Sequence, residues 1–203
     1  MREVRKHFLY KGKSMKENRK ISPTISRKRD RLQDHVLKSI GISVKGFQPD
    51  RVLDVGTGYG MNLTFLARRF GNCSRIWSVD ASPAVVHEMK KIMKKRRYAR
   101  RVIVKQANAE QLPFKSNHFD LVVSLFLLHH LSNPKRGLFE MGRVLSHGGR
   151  LIIADWRSAA VKSLMLHASD IPSPSFVIRQ LKRLGYCTRK HSRRYWYLIE
   201  AIK

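Results

Sequence analysis

The sequence predicts an α/β fold in which a mostly parallel seven-stranded sheet carries helices on both faces and ends in an antiparallel hairpin. Short apolar runs typical of buried strands alternate with longer stretches in which apolar residues recur at helical spacing, as in parallel sheets. Glycine and proline mark most of the changes between the two patterns. Only a short basic turn joins the last two predicted strands, and this predicts the antiparallel pair.

The chain has 203 residues, a length that suits a single domain. Residues 1–25 are rich in Lys and Arg and lack apolar periodicity, so we expect a basic N-terminal arm there. The domain is expected to fill residues 26–203. It opens with a helix that has Ser26 as its candidate N-cap, follows the apolar spacing to Ile40 and ends at Gly41.

The remaining elements follow from apolar runs and helix caps. Predicted strands occupy residues 51–55, 75–79, 101–105, 119–126, 151–155, 186–190 and 195–202. Predicted helices occupy residues 61–70, 83–97, 134–145 and 174–184. Ser82-Pro83 and Asn133-Pro134 each place proline at the first helical position after an N-cap residue, and Gly71 and Gly185 follow helix ends.

The charge of the chain is strongly positive. Lys and Arg number 42 against 14 Asp and Glu, which gives a formal net charge of +28. Such a surface repels itself and favours a polyanionic partner, either nucleic acid or an anionic membrane surface. The alternative is that the host's proteins are all very basic, in which case the charge has no partner of its own.

Several classes of protein are excluded by what the sequence lacks. Cys73 and Cys187 are far apart and have no metal ligands at a recognisable spacing, so we expect neither a disulfide scaffold nor a metal site. The longest apolar stretch, residues 121–128, is far shorter than a membrane span. No apolar segment follows the basic N-terminus, and we therefore expect a cytoplasmic protein. The oligomeric state is not predicted.

A glycine-rich turn after the first strand is the most informative segment. Gly56, Gly58 and Gly60 alternate with other residues, which lets the backbone turn tightly and lie close to a ligand. Asp54 lies two residues before the first glycine, where a carboxylate suits a cationic amino group rather than a pyrophosphate. Asp80 ends the next strand, where a carboxylate can accept hydrogen bonds from both ribose hydroxyls.

These motifs and three later ones resemble the class I S-adenosylmethionine-dependent methyltransferases, in the branch that includes the quinone-biosynthesis enzymes. The resemblance covers about residues 45–203. The later motifs are Asn108-Ala-Glu-Gln-Leu-Pro-Phe114, the run from Phe119 to Leu131, and Glu140 through Gly149. Two positions depart from the family pattern: Asn108 replaces an Asp, and His147 replaces a Pro before two glycines.

The resemblance implies a Rossmann-like methyltransferase fold and a site for S-adenosylmethionine. The methionine end of the cofactor is expected at Asp54, Gly56, Thr57, Gly58 and Gly60. The ribose is expected at Asp80 and Ala81, the adenine at Asn108, Ala109 and Glu110, and the floor beside the methyl group at Ser124 and Leu125. The implied reaction is direct in-line transfer of the methyl group to an acceptor.

The acceptor stays open at this point between a small molecule, which the branch favours, and RNA or a basic-protein partner. Methyl transfer needs no obligatory catalytic side chain, but a base helps when the acceptor is a hydroxyl or an ammonium. His129 and His130, which follow the fourth strand, are the candidates for that base. The alternative is that one of them packs in the core while the other caps a helix or faces solvent.

Two basic segments are expected on opposite edges of the sheet. The turn that contains Arg189, Lys190, Arg193 and Arg194 follows the sixth strand, near the expected site, and is the candidate surface for nonspecific nucleic-acid contact. The run 90–101 belongs to the far edge.

Two functions other than methyl transfer stay open: a non-catalytic nucleic-acid-binding protein on this fold, and a nicotinamide-dependent oxidoreductase. Asp54 and the glycine spacing oppose the oxidoreductase.

Overall fold

A computed structural model of the protein describes residues 23–96, 99–164 and 171–203. Most of the predicted basic arm, residues 1–22, lies outside the described residues, as does Arg97 at the predicted end of a helix. The first described helix spans the predicted boundary between residues 25 and 26, and that boundary stays a prediction.

The order of strands and helices follows the sequence pattern closely. The strands are β1 Arg51–Val55, β2 Arg75–Asp80, β3 Val102–Gln106, β4 Phe119–Leu125, β5 Leu145–Trp156, β6 Cys187–Ser192 and β7 Trp196–Ile202. The helices are α1 Pro23–Ser43, α2 Met61–Phe70, α3 Pro83–Lys94, α4 Pro134–Val144, α5 Ser158–Leu164 and α6 Pro174–Arg183. Single 3₁₀ turns cover Ala99–Arg101 and Leu128–His130.

The strands form one sheet in the order β3-β2-β1-β4-β5-β7-β6. The first five strands are parallel, while β7 runs antiparallel to both β5 and β6. The fold is therefore the predicted one, including the C-terminal hairpin. The chain moves outward from β1 to β3 and then returns to β4, so the order reverses beside β1. Ligands of such sheets bind at this reversal, beyond the carboxyl ends of the strands.

Apolar clusters on the two faces of the sheet fix the helices there. One cluster joins α1, α2, α3 and α5 to the sheet through fully buried residues such as Ile40, Leu63 and Met89. The other joins α4 and α6 through Leu138 and Leu181. Helices therefore cover both faces, as predicted, and the residues available for binding lie at the ends of the strands.

Two predicted N-caps, Ser82 and Asn133, are confirmed, whereas the predicted cap Ser26 is wrong, because α1 begins at Pro23 and contains Ser26. Ser82 Oγ accepts a hydrogen bond from the Val85 amide at 3.4 Å, and Asn133 Oδ1 accepts one from the Arg136 amide at 3.0 Å. The proline that follows each cap lacks the amide hydrogen that would be left unpaired in the first turn. These caps place the beginnings of α3 and α4 at the carboxyl edge of the sheet.

Element ends differ where packing overrides a local signal. Helix α1 begins at Pro23 and continues past Gly41 to Ser43, because Gly41 lies against the Phe65 ring and the turn closes with Val44 donating to Ile40. Strand β5 begins at Leu145 rather than at residue 151, with an irregular register opposite β4. Helix α5 and the two 3₁₀ turns have no apolar periodicity of their own and were not predicted.

Candidate functional site

The glycine-rich turn joins β1 to α2 and is fastened to β2. Gly56, Gly58 and Gly60 have φ values of 87°, 47° and 73°, in the left-handed region that favours glycine. The amides of Gly56 and Thr57 both donate to the Val79 carbonyl, at 2.9 and 3.0 Å. The turn is thus held rigidly at the carboxyl ends of two neighbouring strands.

The three glycines serve two different purposes. A Cβ at Gly60 would lie 2.2 Å from Cε of Met89, and one at Gly56 would lie 3.1 Å from the Leu127 side chain. Among the described residues, a Cβ at Gly58 would meet only the Gly56 carbonyl, 4.0 Å away. Gly56 and Gly60 therefore serve internal packing, while Gly58 presents bare backbone to open space, as a backbone that lies against a ligand does.

Asp80 lies beside this open backbone. Its Oδ2 accepts a hydrogen bond from the Gly58 amide at 2.9 Å, and its Oδ1 accepts one from the Ser82 amide at 2.9 Å. Capping of α3 falls to Ser82, so Asp80 is not needed as a cap. A carboxylate can accept about four hydrogen bonds in total, so the half-buried Asp80 keeps capacity for two further donors. The neighbouring Ala81 is exposed.

Asp54 lies underneath the turn and is fully buried. Its Oδ1 accepts from Asn62 Nδ2 at 2.5 Å, and its Oδ2 accepts from Ser78 Oγ at 2.6 Å. Thr57 Oγ1 lies 2.6 Å from Ser78 Oγ and extends this chain to the turn. Burial, the largest cause, raises the pKa of Asp54 to about 7, and the negative charge of Asp80 acts in the same direction. The structure thus shows Asp54 as internal support of the turn, and its predicted contact with the methionine end stays a prediction.

The segment after β3 brings Asn108 to the same edge. Asn108 is exposed, and its Oδ1 accepts a hydrogen bond from the Glu110 amide at 2.9 Å. Ala109 is buried. Glu110 Oε1 accepts from the Asn133 amide at 3.0 Å, so this carboxylate faces the beginning of α4. Of the three residues predicted near the adenine, Asn108 is the one whose side chain is open to a ligand.

A buried ion pair in α4 holds this segment in place. Arg143 donates to Glu140 at 2.7 and 2.8 Å, and the guanidinium also donates to the carbonyls of Leu112 and Phe114. Glu140 Oε2 accepts the Leu112 amide at 2.9 Å. The Arg143 hydrogen bonds keep the pKa of Glu140 below its usual range. The Glu-x-x-Arg motif therefore acts structurally, by fixing the loop that carries Asn108.

Ser124 and Leu125 end β4 beside the glycine turn. Ser124 pairs with Val55 of β1, and both Ser124 and Leu125 are buried. Within the described part of the chain, Ser124 Oγ has no hydrogen-bond partner. Buried hydroxyls are rarely left unpaired, because the loss of solvation costs about 1–3 kcal/mol. The open Gly58 backbone, the acceptor capacity of Asp80 and this unpaired hydroxyl fit a polar ligand with a ribose.

The two histidines after β4 have different surroundings. His129 Nδ1 lies 2.6 Å from Asp155 Oδ1, and the His129 amide donates to Asp155 Oδ2 at 3.1 Å. The side chain of His129 is 5% exposed and that of Asp155 is fully buried. His130 is exposed, and its ring centroid lies 4.0 Å from that of His129. Partial burial and the adjacent His129 lower the pKa of His130.

Asp155 is a functional candidate that the sequence analysis did not assign. It lies near the carboxyl end of β5, the strand beside β4, so it belongs to the same edge as Asp80 and Ser124. The available signal was its position, a lone acid at the end of a predicted parallel strand. Its neighbour Trp156 is almost fully buried and stacks on Phe126, with centroids 4.1 Å apart, so it belongs to the core.

Only two of the four basic residues predicted in the hairpin turn lie there. Arg193 and Arg194 lie in the turn, but Arg189 and Lys190 lie inside the edge strand β6. Successive side chains of a strand point to opposite faces, so the four cations do not form one cluster. Arg193 and Arg194 instead border an open cleft of about 560 Å³ between α1 and the hairpin turn. The cleft is lined by Leu32, His35, Lys38, Ser39, Arg193, Arg194, Tyr195 and Trp196.

Metal-binding clusters and membrane-spanning helices are both absent from the described ranges. No group of three or more His, Cys, Asp or Glu side chains there could hold a metal ion. Among the helices of those ranges, none combines the length and the apolar character needed to cross a bilayer.

Comparison with known proteins agrees with this geometry. The sequence model of the methyltransferase-domain family matches residues 53–153. The chain is 29% identical over 167 residues to a ubiquinone/menaquinone biosynthesis C-methyltransferase of a Shewanella species, covering 82% of this chain and 64% of that protein. It is 28% identical to the Hahella chejuensis protein of the same name, covering 97% of this chain and 82% of that one. The chain thus spans slightly less than two thirds of the Shewanella relative.

A solved structure supports the same class. A SAM-dependent methyltransferase from Aquifex aeolicus superimposes with a TM-score of 0.59 at 25% identity, over 74% of this chain and 80% of that one. In sequence and fold the chain resembles the class I S-adenosylmethionine-dependent methyltransferases, a class whose cofactor is S-adenosylmethionine. Within that class it resembles the ubiquinone/menaquinone biosynthesis C-methyltransferases. Neither the oxidoreductase nor the non-catalytic alternative has support in these comparisons.

Proposed function

We propose that the protein transfers the methyl group of S-adenosylmethionine to a small-molecule acceptor at the carboxyl edge of the sheet. The observation that carries the proposal is the open Gly58 backbone held against the Asp80 carboxylate by a 2.9 Å hydrogen bond. S-adenosylmethionine supplies an electrophilic methyl group, so the protein's task is to orient the acceptor and exclude water. A small acceptor is favoured by the relatives, which are named for quinone biosynthesis.

In this proposal, Asp80 accepts the ribose hydroxyls and Gly58 lies against the methionine part of the cofactor. Asn108 and the Ala109 amide face the adenine. Ser124 Oγ gains a polar partner at the floor, which explains its lack of one within the described residues. Asp54 and Glu110 act indirectly, because their carboxylates are bonded to Ser78, Asn62 and the Asn133 amide.

RNA is the second candidate acceptor, and the cleft beside the hairpin turn favours it. Arg193, Arg194 and Lys38 line the cleft together with the half-buried ring of Tyr195, while Trp196 at its base is buried. Cations interleaved with aromatic rings suit a single-stranded nucleic acid, whose phosphates and bases they contact. The cleft lies at the carboxyl edge, because Trp196 pairs with Trp156 at the end of β5.

Helix α1 brings further positive charge toward that edge. Lys28 donates to Ser163 of α5 at 2.8 Å, and Arg150 at the far edge donates to the Ser43 carbonyl at 2.6 Å. The helix therefore begins at the carboxyl edge and runs back along the sheet. The basic residues 1–22 precede this beginning in sequence and lie outside the described residues.

The test is methyl transfer from tritiated S-adenosylmethionine to the small-molecule, RNA and protein fractions of a cell extract. We expect label in the small-molecule fraction. Label in RNA that falls steeply with rising salt would favour the second candidate, since each phosphate contact lowers log K by about 0.7–0.9 per unit of log salt. Label in protein would indicate a protein acceptor, and label in no fraction would contradict methyl transfer.

A pair of matched variants separates the two candidates further. One variant neutralises Arg193 and Arg194 at the cleft, and the other neutralises Lys94 and Lys95 at the end of α3, on the opposite edge of the sheet. For an RNA acceptor, the first should lose transfer and the second should lose only binding. For a small acceptor, both should transfer as the wild type does.

A further inference from the structure

We propose that His129 and Asp155 form an acid–base pair in which Nε2 of His129 removes a proton from the acceptor. This inference rests on the proposed methyl transfer and narrows its acceptor to one whose attacking atom carries a proton. Acceptors that attack through a lone pair without losing a proton, such as thioethers and tertiary amines, need no such pair. The assignment selects His129 over His130 and adds Asp155 as its positioning residue.

The hydrogen bonds fix which nitrogen is free to act. The 2.6 Å contact between Nδ1 and Asp155 Oδ1 requires a hydrogen on Nδ1, because a carboxylate accepts. In the neutral imidazole, Nε2 then carries the lone pair. Within the described residues the ring of His129 is bonded through Nδ1 alone, and Nε2 is not among the fully buried polar atoms that lack a partner, so this nitrogen is open to an acceptor.

Asp155 is itself held in one orientation. Its Oδ1 also accepts the Trp156 amide at 2.7 Å, and its Oδ2 accepts the His129 amide at 3.1 Å. The carboxylate is fully buried, so the imidazolium formed by proton uptake is stabilised by an adjacent negative charge with little solvent screening. This is the arrangement in which a buried acid orients and supports a histidine base.

The pair lies against the cofactor site. The 3₁₀ turn that carries His129 begins three residues after Leu125, and the preceding Leu127 side chain packs on Gly56 of the glycine turn. The charged and titratable groups around the pair are His130 from the same turn, Asp80 from β2 and Tyr197 from β7. The negative charge of Asp80 acts on His130, and that of Asp155 acts on Tyr197.

The proton and electrons balance in a single displacement. The attacking atom of the acceptor forms a bond to the methyl carbon and gives its proton to Nε2. The electrons of the broken carbon–sulfur bond stay on sulfur, which becomes a neutral thioether. The imidazolium keeps its Nδ1 hydrogen bond to Asp155 and later releases the proton to solvent through Nε2.

The main test uses His129→Asn, because the Asn amide can still donate to Asp155 in place of Nδ1 but cannot act as a base. His147→Asn is the matched control, since His147 is exposed near the beginning of β5, at the opposite edge of the sheet. The assay is tritiated transfer with the small-molecule fraction of a cell extract as the acceptor mixture. We expect His129→Asn to lose a factor of about 10²–10⁴ in kcat. Its affinity for S-adenosylhomocysteine should stay unchanged.

Two readouts separate a base from a structural histidine. The acid limb of the pH–rate profile should disappear in His129→Asn, and added imidazole should restore part of the activity of His129→Ala. In ¹⁵N spectra of the wild type with S-adenosylhomocysteine, His129 should show hydrogen on Nδ1 and none on Nε2. Hydrogen on Nε2 in the neutral imidazole would overturn the proposal, whether or not the acceptor is known.

The failures of the two proposals are distinguishable. If the wild type binds S-adenosylhomocysteine and labels the small-molecule fraction, but His129→Asn does so equally well, the base assignment is wrong and methyl transfer stands. If His130→Ala abolishes the acid limb while His129→Asn keeps it, the wrong imidazole has been assigned. If the wild type binds no S-adenosylhomocysteine, the proposed function itself fails.

Discussion

Replacing the buried acid beneath the glycine turn should change how stability depends on pH. In the wild type, burial is the main cause that raises the pKa of Asp54 from 3.8 to about 7, and hydrogen bonds from Ser78 and Asn62 only partly oppose it. A rise of this size corresponds to on the order of 4 kcal/mol of unfavourable free energy for the ionised acid. Asp54→Asn removes the charge and nearly keeps the shape.

The sign follows from proton binding in the two states. Between about pH 4 and pH 7 the folded protein keeps a proton on Asp54 that the unfolded chain has released. The free energy of unfolding therefore falls as pH rises through this window, by at most about 1.4 kcal/mol per pH unit, and levels off above it. Asp54→Asn lacks this contribution, so its stability relative to the wild type should rise from pH 4 to pH 7.

The new amide can be accommodated. Its oxygen can accept from Ser78 Oγ, and its nitrogen can donate to Asn62 Oδ1 once the Asn62 amide turns over, since that oxygen has no partner in the described residues. We therefore expect Asp54→Asn to keep its affinity for S-adenosylhomocysteine. The loss of that affinity in a folded variant would indicate instead that the ionised carboxylate contacts the cofactor.

The assay is urea unfolding at half-unit steps from pH 4.5 to pH 8.5, with Asp50→Asn as control. Asp50 is exposed just before β1, so Asp50→Asn measures the effect of removing an exposed acid, rather than a buried one, from a very basic chain. Parallel stability curves for the wild type and Asp54→Asn across the whole range would refute the reasoning. A difference of the same size in Asp50→Asn would refute the role of burial.

Three further predictions concern single positions of the site. Asn108→Asp should leave S-adenosylhomocysteine affinity equal or higher in calorimetry, because one carboxylate oxygen can keep the Glu110 amide while the other accepts from the adenine; a large loss would place the adenine elsewhere. Gly60→Ala should lower the melting temperature, since its Cβ would overlap Met89 and the φ of 73° disfavours a side chain. Combining it with Met89→Ala should remove the overlap but leave the backbone strain. Ser124→Ala should raise stability without ligand, by up to about 1–3 kcal/mol, and weaken S-adenosylhomocysteine binding; a loss of stability without ligand would show that the hydroxyl is already satisfied.

The fold could be predicted because local and long-range signals agree in most elements. Ser82-Pro83 and Asn133-Pro134 fix where α3 and α4 begin, and buried apolar runs fix the strands. The continuation of α1 past Gly41 depends on the Phe65 ring, a contact from another element. The early beginning of β5 depends on pairing with β4, which no local pattern encodes.

The site was predictable where backbone shape dictates the residue. Glycines at positive φ and an acid at the end of β2 leave a clear pattern in sequence. The burial of Asp54 could not be foreseen, because it depends on Ser78 and Asn62 from neighbouring elements. The pairing of His129 with Asp155 was missed for the same reason, since 26 residues separate them and only the adjacency of β4 and β5 brings them together.

Calorimetric titration with S-adenosylhomocysteine, of the wild type and of Asp80→Ala, tests the central claim most directly. The claim predicts binding by the wild type and affinity about 10–100-fold lower in Asp80→Ala, because a charge-assisted acceptor for the ribose is removed. Circular dichroism should show both proteins folded, and Asp50→Asn should bind as the wild type does. Absence of binding by the wild type, or equal affinity in a folded Asp80→Ala, would contradict the claim.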